Sequence, residues 1–320
     1  MAGQLDGRVA LVTGASKNIG KGMALEVAAA GAVTYVTART LDDTPGAIGS
    51  LHQTVAEIEK AGGTGVAVAC DHTDDAQVEA VFDRIDREHG RLDLVVNVAS
   101  PDFSEMVGVP FWEIPFRHIS ACLDVGPRSD YVTTALAARM MVPRRSGVVI
   151  NISSHGAQQH LLSVPYGVGK GAIDKLTRDT AMELRAHGVA VVSLWPGLVL
   201  TEGLLSHAEV APDGTRTLHG LDISFGETPK FNGKAVVALA SDPAIMEKSG
   251  GSFWSSRLAR EYGFTEDDGH LPPEIDGIQT LMSADDIPDY WRGVERFVAV
   301  SSRVARSSSS ESCQTGRDNP

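Results

Sequence analysis

The stretch VPYGVGKGAIDKL, residues 164–176, carries a tyrosine and a lysine four positions apart. Its apolar spacing, continued in TRDTAMEL, predicts a helix that places Tyr166 and Lys170 on one face, one turn apart. An unperturbed phenol has a pKa of about 10 and is poorly matched to proton donation near pH 7. A neighbouring ammonium stabilises the phenolate and lowers that pKa. The pair is therefore a candidate acid/base unit for a reacting carbonyl oxygen, although the same spacing also arises by chance on protein surfaces.

Two serines precede this helix. The segment GVVINISS, residues 147–154, is typical of a buried strand and ends in Ser153 and Ser154. A side chain at the carboxyl end of a parallel strand points into the crevice where α/β folds bind ligands. Either hydroxyl could hold a substrate oxygen beside the tyrosine, and the residues alone leave that choice open.

Short β-branched runs alternate with longer amphipathic segments over most of the chain. Strands continuous in Val, Ile and Ala are typical of a parallel sheet that is covered on both faces. The alternation therefore predicts an α/β fold with a doubly wound parallel sheet of the Rossmann type. The six predicted strands lie at residues 8–14, 33–39, 65–71, 91–99, 147–154 and 188–197.

Composition limits the domain organisation and the classes of partner. The 320 residues, 42% of them hydrophobic, predict one Rossmann-type domain at 1–260, a C-terminal extension at 261–300 and a disordered, nearly apolar-free tail at 301–320. A net charge of −13 argues against nucleic-acid binding, because neutralising phosphates needs concentrated Lys and Arg. We expect no membrane span, secretory signal or metal site. Three widely spaced cysteines favour a reducing, cytoplasmic location.

The loop after the first strand reads TGASKNIGKG, residues 13–22. In such folds this loop meets the pyrophosphate of a dinucleotide at the N-terminus of the next helix. Asn18 stands where the three-glycine version of the loop has its middle glycine. Asparagine tolerates a left-handed backbone better than most residues, so the turn can still form. An ordinary strand–helix turn is the alternative.

The end of the second strand indicates which dinucleotide is bound. A carboxylate there would bind the ribose 2′-hydroxyl and favour NAD. The chain has Arg39 at this position and Lys17 in the glycine loop, and two cations suit a 2′-phosphate. We therefore predict NADP, with NAD less favoured, although Arg39 could be an ordinary surface residue. Asp71 at the end of the third strand could accept from the adenine amino group or could cap the next helix.

Together these motifs make the chain resemble the short-chain dehydrogenase/reductase (SDR) family over about residues 5–255. TGASKNIG, NVA, NISS…YGVGK and PGLVLT occur in the family's order and spacing. More closely, VPYGVGK, HGVAVVSLWPG and LAREYGFTEDDG look like the dehydrogenase/reductase SDR family member 1 group, which are carbonyl reductases that use NADPH. The resemblance implies a homo-oligomeric enzyme that acts on a small carbonyl or alcohol substrate.

The resemblance also implies a role for each matched residue. Tyr166 is the acid/base, Lys170 orients the ribose and lowers the tyrosine pKa, and Ser154 holds the substrate oxygen. Ser154 is preferred because the loop of the closer group aligns there without gaps, whereas the family's commonest serine-to-tyrosine interval selects Ser153. The implied cofactor-binding residues are Gly14, Ser16, Lys17, Asn18, Ile19, Arg39, Asp71, Asn97, Tyr166, Lys170, Pro196, Gly197, Val199 and Thr201.

Two segments depart from the family's pattern. NVAS stands where the family has NNAG, directly at Asn97. Gly126, in LDVGPRSDY, stands where the family commonly has an asparagine that anchors a water relay to the lysine. The closer group is similar to this chain in having glycine there, so these departures put the usual proton relay in doubt rather than the activity.

Two functions are compatible with these residues. The first is an NADPH-dependent oxidoreductase that reduces a ketone or aldehyde to an alcohol, and the intact Ser–Tyr–Lys set favours it. The alternative is an NADP-binding protein of the same fold with little catalytic activity. A mostly apolar substrate pocket is expected from residues 202–230 and from His155, Leu161, Leu162 and Trp195.

Overall fold

The computed structural model describes residues 3–44, 48–218 and 221–274. The predicted tail and the extension beyond residue 274 lie outside the described residues. The strands are β1 (Val9–Thr13), β2 (Val33–Ala38), β3 (Thr64–Ala69), β4 (Leu94–Asn97), β5 (Gly147–Ile152), β6 (Val189–Trp195), β7 (Glu209–Val210), β8 (Arg216–Leu218), β9 (Leu221–Asp222) and β10 (Ser252–Trp254). The helices are α1 (Asn18–Ala29), α2 (Leu51–Lys60), α3 (Asp75–His89), α4 (Arg117–Leu123), α5 (Ser129–Met141), α6 (Val164–Leu184), α7 (Glu202–Leu205), α8 (Pro229–Ser241), α9 (Ile245–Lys248) and α10 (Ser255–Tyr262).

Seven strands form one parallel sheet in the order β10-β6-β5-β4-β1-β2-β3. This arrangement confirms the predicted doubly wound α/β fold. Because β1 pairs with β2 on one side and with β4 on the other, the direction of winding reverses at β1. A crevice forms at the carboxyl ends of the strands where the winding reverses, and such crevices bind ligands in open α/β sheets.

The two faces of the sheet pack into separate cores. In β1, Ala10 and Val12 pack with α1, α2 and α8 on one face. Val9 and Leu11, which alternate with them, pack with α3, α5 and α6 on the other. Because both faces are buried, strand residues on either side are apolar, and this is why the strands read as continuous Val, Ile and Ala runs.

The connection between α4 and α5 is kinked at residues Asp124–Arg128. Within it, Val125 (φ −100°, ψ 86°) and Gly126 (φ 150°, ψ −110°) leave helical geometry. The hydroxyl of Ser129 accepts from the Gly126 N–H at 3.0 Å and donates to the Gly126 carbonyl at 3.1 Å. Glycine adopts such a positive φ without the steric cost of a Cβ, so the kink is fixed by residue type as well as by hydrogen bonds.

The chain between β6 and α8 forms a long loop at the carboxyl edge, and it contains α7 and an antiparallel sheet of β7, β8 and β9. After α10, the chain folds back on the domain: Phe264 packs against Phe231 in α8, and the Glu266 carboxylate accepts from the Thr228 N–H and hydroxyl.

No helix within the described ranges is long and apolar enough to cross a bilayer.

Candidate active site

The Tyr166 and Ser154 hydroxyls meet at the carboxyl edge of the sheet. Tyr166 lies in the first turn of α6, which is capped by the Ser163 side chain, and Ser154 follows β5. The Tyr166 hydroxyl donates to Ser154 Oγ at 2.9 Å. The Gly156 N–H also donates to Ser154 Oγ, at 3.1 Å, and a Cβ at Gly156 would lie 2.7 Å from the Tyr166 ring. A glycine is therefore required where the serine loop passes the tyrosine.

Ser153 points away from this pair. Its hydroxyl donates to the Lys170 backbone carbonyl at 3.1 Å, and the side chain is buried against α6. Successive side chains leave an extended strand on opposite sides, so only one of the two serines can face Tyr166. In this structure that residue is Ser154.

Lys170 lies one turn after Tyr166, as the spacing predicted. Its Nζ is 5.7 Å from the Tyr166 ring centre and donates to the Ile152 carbonyl at 2.9 Å. Burial lowers the pKa of Lys170, against the opposing effects of the Asp130 and Asp174 carboxylates.

The direction of the Tyr166 pKa differs from the expectation. Burial raises this pKa above its usual value of about 10, and the Ser154 hydroxyl opposes the rise. The Lys170 ammonium faces the Ile152 carbonyl rather than the phenol oxygen. Desolvation therefore outweighs the effects that lower this pKa, so its net direction is opposite to the expected one.

A cavity of about 10 Å³ lies beside these side chains, enough for about one water molecule. It is lined by Tyr166, Lys170, Phe103, Cys122 and the kink residues Val125 and Gly126, among others. The Phe103 ring also contacts the Tyr166 ring edge-to-face, with centroids 4.8 Å apart. The kink between α4 and α5 thus forms one wall of the catalytic crevice.

The glycine loop has the backbone that the sequence predicts. Gly14 has φ +65°, and a Cβ there would lie 2.8 Å from the Ala99 Cα at the end of β4. The loop is held by the Ala15 N–H, which donates to the Thr37 carbonyl at 3.0 Å, and by the Thr54 hydroxyl, which donates to the Ala15 carbonyl at 2.9 Å. Ser16 is buried, and Ile19 packs on the core below α1. Glycine is therefore required where the loop passes the end of β4.

Asn18 adopts the predicted left-handed backbone, with φ +52°. We expect Asn18→Ala to lower the free energy of unfolding by about 1–2 kcal/mol, because alanine tolerates a left-handed backbone less well than asparagine. Asn18→Gly is the matched control and should remain near wild type, since glycine adopts this backbone freely. Urea denaturation of the three proteins measures the difference, and equal stability of the alanine and glycine variants would contradict it.

Arg39, Lys17 and Asp71 lie around the same edge. Arg39 follows β2 and is exposed, and its charge helps to lower the pKa of Asp71, although hydrogen bonds from Thr73 lower it more. Asp71 Oδ1 accepts from the Thr73 N–H and hydroxyl, whereas α3 is capped by Asp74. Asp71 therefore forms a local turn rather than the helix cap. Lys17 is the exposed residue directly before α1 and has no side-chain capping bond.

Asn97 is placed differently from the prediction of a ribose contact. Its side chain is buried behind β4, where Nδ2 donates to Asn151 Oδ1 at 2.8 Å and to Thr134 Oγ1 at 3.3 Å. The Asn97 Oδ1 atom is buried without a hydrogen-bond partner. The side chain links β4 to β5 and α5, so its placement does not favour contact with a nucleotide. Thr13 instead holds this edge, because its hydroxyl accepts from the N–H groups of Val98 and Ala99.

The segment Pro196–Thr201 is fixed by Glu227, a residue that sequence reasoning did not identify. The Gly197 N–H donates to Glu227 Oε2 at 2.9 Å, and Ser255 donates to the same carboxylate. Leu200 N–H donates to the Glu227 carbonyl at 2.8 Å, and Val199 pairs with Glu227 as a parallel bridge. Burial raises the pKa of Glu227 to about 7, against the lowering effect of these hydrogen bonds. Thr201 caps α7 through Leu204.

Not all of the residues predicted to line the substrate pocket are placed where they could do so. Trp195 is buried: its Nε1 donates to Asp174 at 3.2 Å and its ring packs edge-to-face on Trp254. It therefore supports the site from the core side instead of lining the pocket. His155 stacks on the other side of Trp254, with centroids 5.2 Å apart, and Leu161 and Leu162 are partly exposed.

Comparisons with known proteins agree with this geometry. The family model described as short chain dehydrogenase matches residues 8–209. The chain is 41% identical over 290 residues to dehydrogenase/reductase SDR family member 1 of Homo sapiens, covering 88% of this chain and 90% of that protein. This identity confirms the resemblance seen in the motifs.

Two solved structures show the fold with bound nucleotides. A 7α-hydroxysteroid dehydrogenase complexed with NADH and 7-oxo glycochenodeoxycholic acid has a TM-score of 0.64 and 27% identity, covering 78% of this chain and 93% of that chain. A metagenomic short-chain oxidoreductase in complex with NADP has a TM-score of 0.62 and 26% identity, covering 78% and 97%. The chain thus belongs to the short-chain dehydrogenase/reductase family, whose members are NAD(P)-dependent oxidoreductases.

Proposed function

We propose that the protein is an NADPH-dependent oxidoreductase that reduces a ketone or aldehyde to an alcohol on a mostly apolar substrate. The observation that carries the proposal is the 2.9 Å hydrogen bond from the Tyr166 hydroxyl to Ser154, with Lys170 one turn along. A protein that only bound the nucleotide would not need this arrangement of three side chains.

The residues at the glycine loop fit a dinucleotide. Because Lys17 provides no side-chain cap, the first N–H groups of α1 remain for an anion, and the helix dipole favours negative charge there. The close approach of Gly14 to Ala99 holds the loop against the end of β4, at the carboxyl edge of the sheet. When bound, reduced nicotinamide supplies the hydride that reaches the carbonyl carbon.

Tyr166 and Ser154 act on the carbonyl oxygen. A substrate oxygen within reach of both hydroxyls accepts a hydrogen bond from each, and Tyr166 transfers its proton as charge develops on that oxygen. The raised pKa of Tyr166 keeps the phenol protonated in the free protein, which is the form that the reduction needs. Lys170 contributes a positive charge beside the Tyr166 ring. The family resemblance implies that the same ammonium binds the nicotinamide ribose. Gly197 and its neighbours, held by Glu227, would line the nicotinamide side.

The preference for NADPH rests on charge. Arg39 is exposed directly after β2, where an NAD-binding protein of this fold would carry a carboxylate. Lys17 lies directly before α1, near Asp102 in the segment that follows β4. Hydrogen bonds from Ser104 lower the pKa of Asp102 most, and the charge of Lys17 lowers it further. A 2′-phosphate would offer both cations a dianionic partner.

We also propose a cytoplasmic homo-oligomer. Cys70 and Cys122 are buried as free thiols, as expected in a reducing compartment. Large apolar side chains are exposed, and covering them would favour self-association. They include Phe111, Trp112, Phe116, Tyr131 and Met182.

Turnover tests the proposed reaction. The purified protein should oxidise NADPH in the presence of a panel of apolar ketones, aldehydes and quinones, as followed by loss of absorbance at the nicotinamide band. Tight NADPH binding without any turnover would instead support a nucleotide-binding protein with little catalysis.

The two serines should differ in their effect on turnover. We expect Ser154→Ala to lower kcat by about 10²-fold, the cost of removing one hydrogen-bond donor to a developing oxyanion. Ser153→Ala is the matched control and should cost much less, because that hydroxyl is already bonded to the Lys170 carbonyl. Steady-state kinetics of both variants measures this, and a larger loss for Ser153→Ala would show that the serine assignment is wrong.

A further inference from the structure

Asp130 is a buried acid that the proposed mechanism does not use. It lies in the first turn of α5 and is 2% exposed. Four residues on the same helix face, Thr133, Thr134, Ala137 and Met141, are also buried, so this face packs into the protein interior. A carboxylate in such a position is costly unless something nearby stabilises its charge.

The kink that lines the catalytic crevice lies directly before Asp130 in the chain. Ser129, the residue before it, is bonded to Gly126, and Gly126 and Lys170 line the same water-sized cavity. A Cβ on Gly126 would meet Ile173 of α6 at 3.7 Å, so the kink packs directly on the helix that carries Lys170. The start of α5 is thereby held against the lysine-bearing turn of α6.

The two charges act on each other. Burial raises the pKa of Asp130 to about 7, and the Lys170 ammonium and the Ser129 hydroxyl oppose that rise. In turn, Asp130 opposes the fall that burial causes in the pKa of Lys170, together with Asp174 and the Cys122 thiol.

Other elements bring mostly neutral groups to this region. β4 and β5 contribute the neutral amides of Asn97 and Asn151, and α4 contributes Cys122. α3 contributes Asp75, which pairs with Arg128 at the surface, 2.7 Å apart. Within the described ranges, no ion pair shorter than 4.0 Å neutralises Asp130, so Lys170 is the cation that acts on it.

We propose that Asp130 is a positioning residue that acts through Lys170: its carboxylate keeps the Lys170 ammonium protonated toward alkaline pH, and so extends the range over which Lys170 holds nucleotide and supports Tyr166. This inference rests on the proposed function, since it assigns Lys170 to the nucleotide. Asp130, buried behind the kink, supplies a charge that Gly126, which has no side chain, cannot supply.

The sign of the effect follows from removing an anion. Without the Asp130 charge, Lys170 loses its proton at a lower pH, because only the weaker effects of Asp174 and the Cys122 thiol then oppose desolvation. The affinity that Lys170 contributes to nucleotide binding should then disappear at a lower pH. Below about pH 7 the wild-type carboxylate is itself protonated, so the variant and the wild type should converge there.

The test is the dissociation constant of NADPH between pH 6.5 and 10.5, measured by nucleotide fluorescence. For Asp130→Asn we expect the midpoint of the alkaline loss of affinity to move down by about one pH unit. Thr133→Val, an isosteric change on the same buried face, should leave it unchanged. The pH dependence of NADPH affinity that remains in Lys170→Met comes from groups other than Lys170.

Identical midpoints in wild type and Asp130→Asn would overturn the proposal, and so would a loss of affinity equal at every pH, which a purely structural role would cause. A protein that shows the shift but reduces no carbonyl would refute the proposed reaction and leave this inference standing.

A second measurement needs no nucleotide. Because burial disfavours the charged form of Asp130, wild type should lose stability relative to Asp130→Asn as pH rises from about 4 to 7, and the difference should then level off. The urea midpoints of the two proteins report this. Parallel midpoints across that range would contradict a buried, titrating Asp130, and the proposal with it.

Discussion

Tyr166→Phe should lower kcat/KM for carbonyl reduction by about 10²–10⁴-fold, the usual contribution of a positioned general acid. The substitution removes the hydroxyl that donates to Ser154 and leaves the ring, which packs edge-to-face on Phe103. The fold and the glycine loop should therefore be unaffected, and the NADPH dissociation constant should stay within about twofold. Steady-state kinetics and nucleotide titration on the same preparation measure both quantities.

Tyr131→Phe is the matched control, because Tyr131 is exposed on α5 and removal of its hydroxyl should leave kcat/KM unchanged. If Tyr166→Phe retained more than about a tenth of wild-type kcat/KM, the proton would have to come from another group and the proposed mechanism would be wrong.

Arg39→Asp should weaken NADPH binding by tenfold or more and leave NADH binding equal or tighter. A guanidinium makes charge-assisted hydrogen bonds with a phosphate, often two in parallel, and bonds of this kind contribute about 1.5–3 kcal/mol. The aspartate would repel the 2′-phosphate and could accept from the 2′-hydroxyl of NADH. Dissociation constants for both nucleotides at one fixed ionic strength measure the change, because salt screens the interaction.

Lys60→Asp makes the same change in charge at the far end of α2 and should affect neither nucleotide. Equal losses of NADPH and NADH affinity in Arg39→Asp would mean that Arg39 supports the fold rather than the phosphate. A wild-type protein that prefers NADH would contradict the proposed cofactor directly.

The parts of the fold that the sequence predicts are those with long periodic patterns. Six of the seven sheet strands were predicted, since each is buried on both faces and therefore continuous in apolar residues. The seventh, β10, has three residues and, among the described strands, pairs with β6 alone, so its pattern is too short to identify. The same holds for β7 and β9, which have two residues each. A strand this short is recognised by the strand with which it pairs. That partner can lie far away in the sequence, so local patterns do not reveal it.

The site divides in a similar way. The glycine loop, the Tyr166–Lys170 spacing and the left-handed Asn18 follow from local rules of backbone geometry and helix period. The choice of Ser154 over Ser153 depends on which way each side chain leaves the strand end, and Glu227 reaches Gly197 across thirty residues. The sequence contains a weak indication that Asp130 is buried. Asp130, Thr134, Ala137 and Met141 follow helical spacing on one face of α5. The structure shows that this face is buried.

The contact of Glu227 with the segment after β6 also bears on how this protein can diverge. The Glu227 N–H donates to the Leu198 carbonyl at 2.7 Å, and its carbonyl accepts from Leu200 at 2.8 Å, so the residues between them form a loop closed at its base. The cost of closing such a loop rises by only about 0.6 kcal/mol for each doubling of its length. We therefore expect insertions or deletions between residues 202 and 226 to leave Gly197 in place. Under the proposed function, the segment expected to cover the substrate could then change in length while the segment expected to hold the nicotinamide keeps its position.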